Sequence, residues 1–117
     1  MMTEDQRKQA MASLAQAHLT KKPCLQLSAT FPSIEIADSY AISSAMAELK
    51  VAGGARLIGH KIGLTSKAMQ ASSQIDEPDY GHLFDDMLMQ DGAKVRHADF
   101  CVPRVEPELT LDRRAHV

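Results

Sequence analysis

The sequence lacks the features that commonly mark a nucleic-acid-binding protein. It has no tryptophan, and aromatic residues make up only 4% of the chain. The 13 lysines and arginines are balanced by 15 aspartates and glutamates, which gives a formal net charge of −2. Because binding to a polyanion needs a basic surface and base stacking needs aromatic platforms, the composition argues against DNA, RNA and anionic membranes as partners.

Long hydrophobic runs are also missing. No window approaches the ~18 consecutive apolar residues that a membrane-spanning helix needs. Residues 1–14 are polar and charged, without the apolar stretch of a secretory signal. The two cysteines, Cys24 and Cys101, do not form a Cys-x-x-Cys pair. This usage is typical of reduced thiols and predicts a cytoplasmic protein.

The pattern of the chain predicts an α+β protein in which helices precede strands. Its 117 residues are enough for one domain with a modest core. Thr3 opens a capping box, which predicts a helix over residues 4–19. Ser33 is the predicted cap of a second helix, which ends at a glycine pair. We therefore expect an N-terminal helical region at residues 1–54 and the start of a β-rich core at residues 55–117.

Several segments in the second half of the chain predict strands. Residues 56–64 are short, apolar and alternating, and they contain glycines at the boundaries of the pattern. Asp91–Gly92 is a strong signal for a hairpin with a strand on either side. Residues 101–111 predict a last strand. Between these segments, residues 65–73 predict a short helix and residues 75–82 a turn.

Two carboxylates stand two residues apart in the predicted last strand. Side chains at i and i+2 of a strand share a face and start about 7 Å apart, so Glu106 and Glu108 can converge on one ion. Oxygen ligands of this kind suit Mg²⁺. The alternative is a solvated face on which Glu106 pairs with Arg104. Pro107 cannot donate to a ladder, which indicates an edge strand or a bulge.

Lys61 lies between Gly59 and Gly63 on one face of the strand predicted at residues 56–64. The missing side chains leave room beside it, and confinement would lower the pKa of Lys61 towards the range used in proton transfer. Asp79 belongs to an acidic cluster, and a carboxylate beside a lysine can divide acid and base roles with it. The alternatives are a surface lysine with a packed stem and an aspartate that stabilises a turn.

Other polar residues give weaker signals. His60 and His82 lack the sequence spacing of a metal-binding pair, so we interpret both as structural residues. The segment "GHKIGLTS" contains two glycines, but no Lys-Ser or Lys-Thr follows the second one, which excludes a phosphate-binding loop. Neither cysteine has neighbours that indicate a nucleophile.

Several of these segments, taken together, resemble one family. "GHKIGLTSKAMQASSQIDEPDYGHLFDDM" followed by "PRVEPEL" is similar to the 2-keto-4-pentenoate hydratases, a group within the fumarylacetoacetate hydrolase superfamily. The stretch "SKAMQASSQIDEPDYG" is most similar to the 2-oxohept-3-ene-1,7-dioate hydratases of homoprotocatechuate degradation. The resemblance runs from the second predicted helix to about Leu111.

The resemblance implies a hydro-lyase that uses Mg²⁺ or Mn²⁺ to add water to a 2-oxo- or 2-hydroxy-dienoate in aromatic meta-cleavage catabolism. The residues that it assigns are Glu106 and Glu108 as metal ligands, Lys61 and Asp79 as catalytic groups, and Leu64, Thr65 and Ser66 along the substrate. Decarboxylation of a 4-oxalocrotonate-type acid is a related activity that stays open. The implied partner is a small 2-oxo acid, and homo-oligomers are expected for full-length relatives.

Members of the family are longer than this chain. Most of their strands, and a third carboxylate ligand, follow the Glu-x-Glu strand. We therefore expect a β core that is incomplete at the C-terminus, where the chain ends in "DRRAHV". The apolar side chains of the last predicted strand would then lack a partner sheet. The rival hypothesis is an inactive remnant or assembly subunit that associates with a full-length partner.

Overall fold

The first half of the chain is helical. The computed structural model describes residues 1–112 and contains α1 (Glu4–Thr20), α2 (Leu27–Thr30) and α3 (Ile36–Ala52) in this half. Thr3 Oγ1 accepts a hydrogen bond from Gln6 N at 3.2 Å, which confirms the predicted capping box. Residues 113–117, the end of the predicted β-rich region, lie outside the described residues. Within the described part, no helix is long and apolar enough to cross a bilayer.

The cap of α3 differs from the prediction. Glu35, and not Ser33, is the N-cap residue. The backbone N–H of Glu35 donates to Asp38 Oδ2 at 3.0 Å. Because the Asp38 carboxylate satisfies this donor from inside the first turn, the helix begins later than the hydroxyl of Ser33 would have placed it.

The Asp38 carboxylate also joins α3 to α1 and to the start of the chain. Its Oδ1 accepts hydrogen bonds from Arg7 Nη2 at 2.7 Å and from Arg7 Nε at 3.0 Å, and its Oδ2 accepts one from Met2 N at 3.0 Å. The side chain is fully buried. Burial by itself would raise the pKa of Asp38, but the hydrogen bonds from Arg7, Glu35 N and Met2 N outweigh it and hold this pKa below its ordinary value.

The hydrophobic core lies between α1 and α3 and is small. Its buried members are Met2, Ala10, Phe31 and Ile42. Partly buried side chains surround them, namely Met11, Leu14, Leu27, Ile34 and Met46. With so few apolar groups buried, the buried ion pair of Asp38 becomes an important part of the contact between the two helices.

The second half of the chain forms a two-stranded antiparallel sheet. β1 is Leu57–Gly63 and β2 is Asp79–Phe84, and α4 (Lys67–Ser73) connects them. The predicted first strand, the short helix and the α+β class are confirmed. The turn predicted over residues 75–82 is wrong from Asp79 onwards, because these residues pair with β1.

Two further predicted strands are not formed. Asp91–Gly92 does lie in a turn, and Ala93 N donates to Gln90 O at 3.0 Å, but no strand flanks it within the described residues. The neighbouring regular segments are short 3₁₀ helices at Asp85–Met87 and His97–Asp99. Asp91–Gly92 therefore forms the predicted turn, but the strands that would pair on either side of it are not formed in residues 1–112.

The predicted last strand, residues 101–111, is also wrong, because these residues have no strand conformation. A strand needs a neighbour for its backbone groups, and the described part of the chain places none alongside. The apolar side chains of this segment are accordingly uncovered: Val105 is 94% exposed, Leu109 103% and Leu111 95%. The alternation of apolar and polar residues predicts a strand here, but such a strand forms only where a second strand pairs with it.

One face of the sheet packs on α3, and we call it the inner face. Three pairs of side chains make this contact: Tyr80 with Tyr40 at 4.8 Å between ring centroids, His82 Nδ1 with Ser43 Oγ at 3.5 Å, and Phe84 with Lys50 Nζ at 4.9 Å from the ring centroid. Because successive strand residues point to opposite faces, Lys61 points away from α3. The opposite, outer face therefore carries the candidate chemistry.

The buried carboxylate of Asp38 predicts a loss of stability in acid. The pKa of Asp38 is lower in the folded chain than its ordinary value of 3.8. The carboxylate therefore contributes fully to the free energy of unfolding above pH 3.8, and this contribution is lost as the pH falls through the lower, folded pKa. We expect urea denaturation at a series of pH values to show this loss. Asp38→Asn should be less stable at neutral pH and should lack that part of the pH dependence, whereas equal pH dependence in both chains would contradict the assignment.

Candidate functional site

Lys61 stands near the middle of the outer face of the sheet. Gly81 is its register partner on β2, and Gly59 and Gly63 flank it on β1. These three glycines contribute no side chains around the lysine stem, which leaves room beside it for other groups of the chain. The Lys61 side chain is 43% exposed.

The segment of residues 103–112 passes over the outer face and brings both glutamates to Lys61. Lys61 Nζ lies 2.6 Å from Glu108 Oε1 and 3.5 Å from Glu106 Oε2. The two carboxylates thus converge on one cation position, and the cation is the lysine ammonium. Glu106 is paired here with Lys61, across the sheet face, and not with its sequence neighbour Arg104.

The two glutamates reverse the predicted effect on the lysine. The hydrogen bond with Glu108 raises the pKa of Lys61, loss of solvent opposes it, and the negative charges of Glu108 and Glu106 add to the rise. The net shift is upward, so the predicted fall in the pKa of Lys61 is wrong for this arrangement. Confinement and a neighbouring metal cation would both lower this pKa, but the prediction left out the two carboxylates that lie beside the ammonium.

Asp79 shares the outer face with Lys61. It pairs with Gly63 at one end of the sheet, which makes it a diagonal neighbour of Lys61. Diagonal neighbours lie about 7–8 Å apart, close enough for both side chains to contact one small molecule. Gly63 provides the space that the Asp79 carboxylate occupies, because a Cβ at this position would overlap Asp79 Oδ1.

The loop after β1 is held by α4. Leu64 has a φ of 53°, in the left-handed region that non-glycine residues seldom adopt. The buried Gln70 side chain donates from Nε2 to Leu64 O at 2.8 Å and keeps the loop in this conformation. Ser66 Oγ accepts a hydrogen bond from Met69 N at 3.2 Å and caps α4. Thr65 is the exposed residue between them.

Gln70 is the residue that sequence reasoning missed at this site. It acts through its contact with the loop. The signal that could have found it is its position, one turn after a capping serine, where a buried polar side chain can reach back to the loop. Two of the residues predicted along the substrate therefore form hydrogen bonds with α4. Leu64 accepts one at its carbonyl oxygen and Ser66 accepts one at its hydroxyl oxygen.

The donor set on the outer face fits a hard divalent cation in chemical type. Mg²⁺ prefers carboxylate oxygens and keeps several of its waters, and Glu106 and Glu108 direct such oxygens at a single cation position. Within residues 1–112, no group of three or more His, Cys, Asp or Glu side chains is arranged to hold a metal ion. The described residues thus offer a pair of ligands.

The sequence is similar to those of several hydratases, while no protein-family model matches it. It is 52% identical over 98 residues to 2-oxo-hept-4-ene-1,7-dioate hydratase from Escherichia coli, which covers 84% of this chain and 37% of that protein. It is 42% identical over 108 residues to 2-keto-4-pentenoate hydratase from Paraburkholderia xenovorans (strain LB400), covering 92% of this chain and 40% of that protein. The chain spans about two fifths of the length of these curated relatives.

The fold is similar to that of a solved decarboxylase. 4-Oxalocrotonate decarboxylase from Pseudomonas putida G7, complexed with magnesium and adipate, matches with a TM-score of 0.69 at 29% identity, over 74% of this chain and 33% of that one. The same enzyme complexed with calcium and acetate matches with a TM-score of 0.70 at 29% identity. Both solved neighbours hold a divalent cation.

The close approach of Gly63 and Asp79 gives a test of the outer face. In Gly63→Ala, the added Cβ would overlap Asp79 Oδ1, so we expect the Asp79 carboxylate to move away from its place beside the lysine. Gly59→Ala is the matched control, since its Cβ would meet Leu83 Cδ1 at an ordinary 3.9 Å. Crystal structures or side-chain carboxyl NMR of the variants provide the measurement. An unmoved carboxylate in Gly63→Ala would contradict the described packing.

Proposed function

We infer that the chain is a member of the 2-keto-4-pentenoate hydratase family, on its 52% and 42% identity to two hydratases, and that it carries the acid/base groups and two metal ligands of a hydratase that acts on a 2-oxo- or 2-hydroxy-dienoate. The observation that carries this proposal is the meeting of Lys61 with Glu106 and Glu108 on the outer face. Residues far apart in the sequence come together there, and each is of the chemical type that the reaction needs.

The proposed substrate is a dicarboxylate of the 2-oxohept-3-ene-1,7-dioate type, in aromatic meta-cleavage catabolism and specifically in homoprotocatechuate degradation. The name of the relative with 52% identity, which is a heptenedioate hydratase, supports a dicarboxylate. A cytoplasmic location is proposed as well, and the two exposed free thiols of Cys24 and Cys101 support it, because unpaired cysteines are typical of reducing compartments. Assembly into homo-oligomers stays a prediction.

The two glutamates have the task of holding the metal ion. Glu106 and Glu108 would bind Mg²⁺, which supplies Lewis-acid polarisation of the 2-oxo acid and stabilises negative charge on its enolate form. Mn²⁺ takes the same kind of oxygen ligand and is the proposed alternative ion. Both carboxylates approach one positive charge, the Lys61 ammonium, and this convergence on a single cation supports the role.

The lysine and the aspartate have the task of moving protons. Lys61 Nζ carries N–H donors near the middle of the outer face and would give a proton to a substrate carbon during ketonisation. The 2-hydroxyl group of the dienoate releases its proton in the same step, which leaves a 2-oxo acid with a conjugated double bond to which water can add. Asp79, the diagonal neighbour of Lys61, would take the proton from the attacking water.

The loop of Leu64, Thr65 and Ser66 would orient the substrate. Its backbone is fixed by Gln70, so it presents a constant surface next to the end of β1. The Thr65 side chain is exposed and carries a hydroxyl that can donate to a substrate carboxylate. Ser66 Oγ accepts from the helix and keeps its own hydrogen for donation.

Decarboxylation is the second candidate, because the solved neighbours are a 4-oxalocrotonate decarboxylase. The two reactions share a chelated 2-oxo acid and differ in whether water is added or CO₂ is released. The higher identity to hydratases, 52% and 42% against 29%, favours water addition. Analysis of the product, a hydroxy acid or CO₂, separates the two candidates.

Replacing Lys61 should abolish most of the activity. We expect the chain to consume a 2-hydroxy-dienoate in the presence of Mg²⁺, seen as loss of conjugated ultraviolet absorbance. Lys61→Ala should lower kcat by about 10²- to 10⁴-fold, the usual contribution of a general acid/base. Lys94→Ala, a change at another exposed lysine, should have the activity of the wild-type chain.

Circular dichroism of both lysine variants shows whether the fold is retained. A wild-type chain that leaves the dienoate unchanged, while the hydratase from Escherichia coli consumes it under the same conditions, would remove catalysis by this chain from the proposal. That outcome would favour the assembly subunit. Full activity in a folded Lys61→Ala would instead remove the lysine from the mechanism.

The metal ligands can be tested without activity. Titration calorimetry with MgCl₂ should show that Glu106→Gln and Glu108→Gln each weaken Mg²⁺ binding by about tenfold or more, because affinity for hard cations depends on the number of charged ligands. Glu48→Gln, at an exposed position of α3, is the control and should bind like the wild type. Equal affinity in all four chains would place the ion elsewhere.

A further inference from the structure

The inner face of the sheet carries two histidines directly opposite one another. His60 of β1 and His82 of β2 are register partners, and their ring centroids lie 5.3 Å apart with 55° between the ring planes. His60 is exposed and His82 is half-buried. Sequence spacing gave no reason to connect them, because strand pairing and not proximity in the chain brings them together.

The distance between the two rings matches the distance that one tetrahedral ion requires. A Zn–N bond is about 2.1 Å and the imidazole centroid lies about 1.1 Å behind the nitrogen, so each centroid is about 3.2 Å from the ion. At a tetrahedral angle of about 109°, two such centroids are about 5.2 Å apart. The centroids of His60 and His82 are 5.3 Å apart.

The surroundings of the pair restrict both rings. Ser43 Oγ of α3 lies 3.5 Å from His82 Nδ1, where it can accept the Nδ1–H and leave Nε2 as the ligand nitrogen. Tyr80 lies edge-on to both rings, at centroid distances of 6.3 Å from His60 and 6.1 Å from His82. A polar partner on the second nitrogen is the usual companion of a metal-binding imidazole.

We propose that His60 and His82 bind a divalent transition-metal ion that prefers imidazole nitrogen, with Zn²⁺ as the representative ion. No third His, Cys, Asp or Glu completes the group within residues 1–112, so water fills the remaining coordination positions. The site is separate from the pair of Glu106 and Glu108. Strand alternation places the two on opposite faces, and nitrogen and oxygen ligands select different ions.

Titration calorimetry of the intact chain with ZnCl₂ tests the proposal. We expect one ion per chain, and we expect His60→Asn and His82→Asn each to weaken its binding by about tenfold or more. His18→Asn and His97→Asn, which change histidines outside the sheet, are the matched controls and should bind Zn²⁺ like the wild type. In the unmodified chain, the imidazole NMR signals of His60 and His82 should shift together on addition of Zn²⁺.

The NMR measurement keeps the test valid even if a histidine variant fails to fold. Absence of Zn²⁺ binding, or binding that leaves the signals of both sheet histidines unshifted, would overturn the proposal. Binding that is lost in Cys24→Ser or Cys101→Ser and retained in the histidine variants would assign the ion to thiolates and also overturn it. Glu106→Gln and Glu108→Gln should leave Zn²⁺ binding unchanged, and its loss in them would contradict two separate sites.

Discussion

The candidate site depends on one packing contact, that between α3 and the inner face of the sheet. A ribbon of two strands is at best marginally stable in water by itself, so β1 and β2 need a surface to pack on. The stacking of Tyr80 on Tyr40 and the approach of Lys50 to Phe84 provide it. The outer face, with Lys61 at its centre, is positioned only because the opposite face is held.

The helix that supports the sheet is itself positioned by a buried charge. Four hydrophobic side chains form the buried core between α1 and α3, and this is little for a chain of 117 residues. A buried carboxylate is costly unless its oxygens are paired, and Asp38 accepts hydrogen bonds from Arg7, Met2 N and Glu35 N. The position of the sheet is thus linked through α3 to an ion pair on α1.

Features set by local interactions could be predicted from the sequence, and features set by pairing could not. The capping box, the long helices and β1 follow from neighbours within a few residues. The strand predicted at residues 101–111 needs a partner that residues 1–112 do not supply. Family resemblance assigns Lys61, Glu106 and Glu108 to one site, whereas spacing does not, and neither predicts the direct ion pairs between them. The pKa direction of the lysine was missed because it depends on those ion pairs.

The register of β1 on β2 keeps two kinds of chemistry apart. A slip by one residue would exchange the faces of a strand and turn Lys61 towards α3. The Lys61 ammonium would then lie against α3, near the Tyr40 ring, and would lose both its hydration and its ion pairs with Glu106 and Glu108. Burial of a charge without a partner is unfavourable. The inner face would gain Gly59 and Gly63 in exchange, which offer nothing to pack. The same glycines that open the space around the lysine therefore also oppose the wrong register.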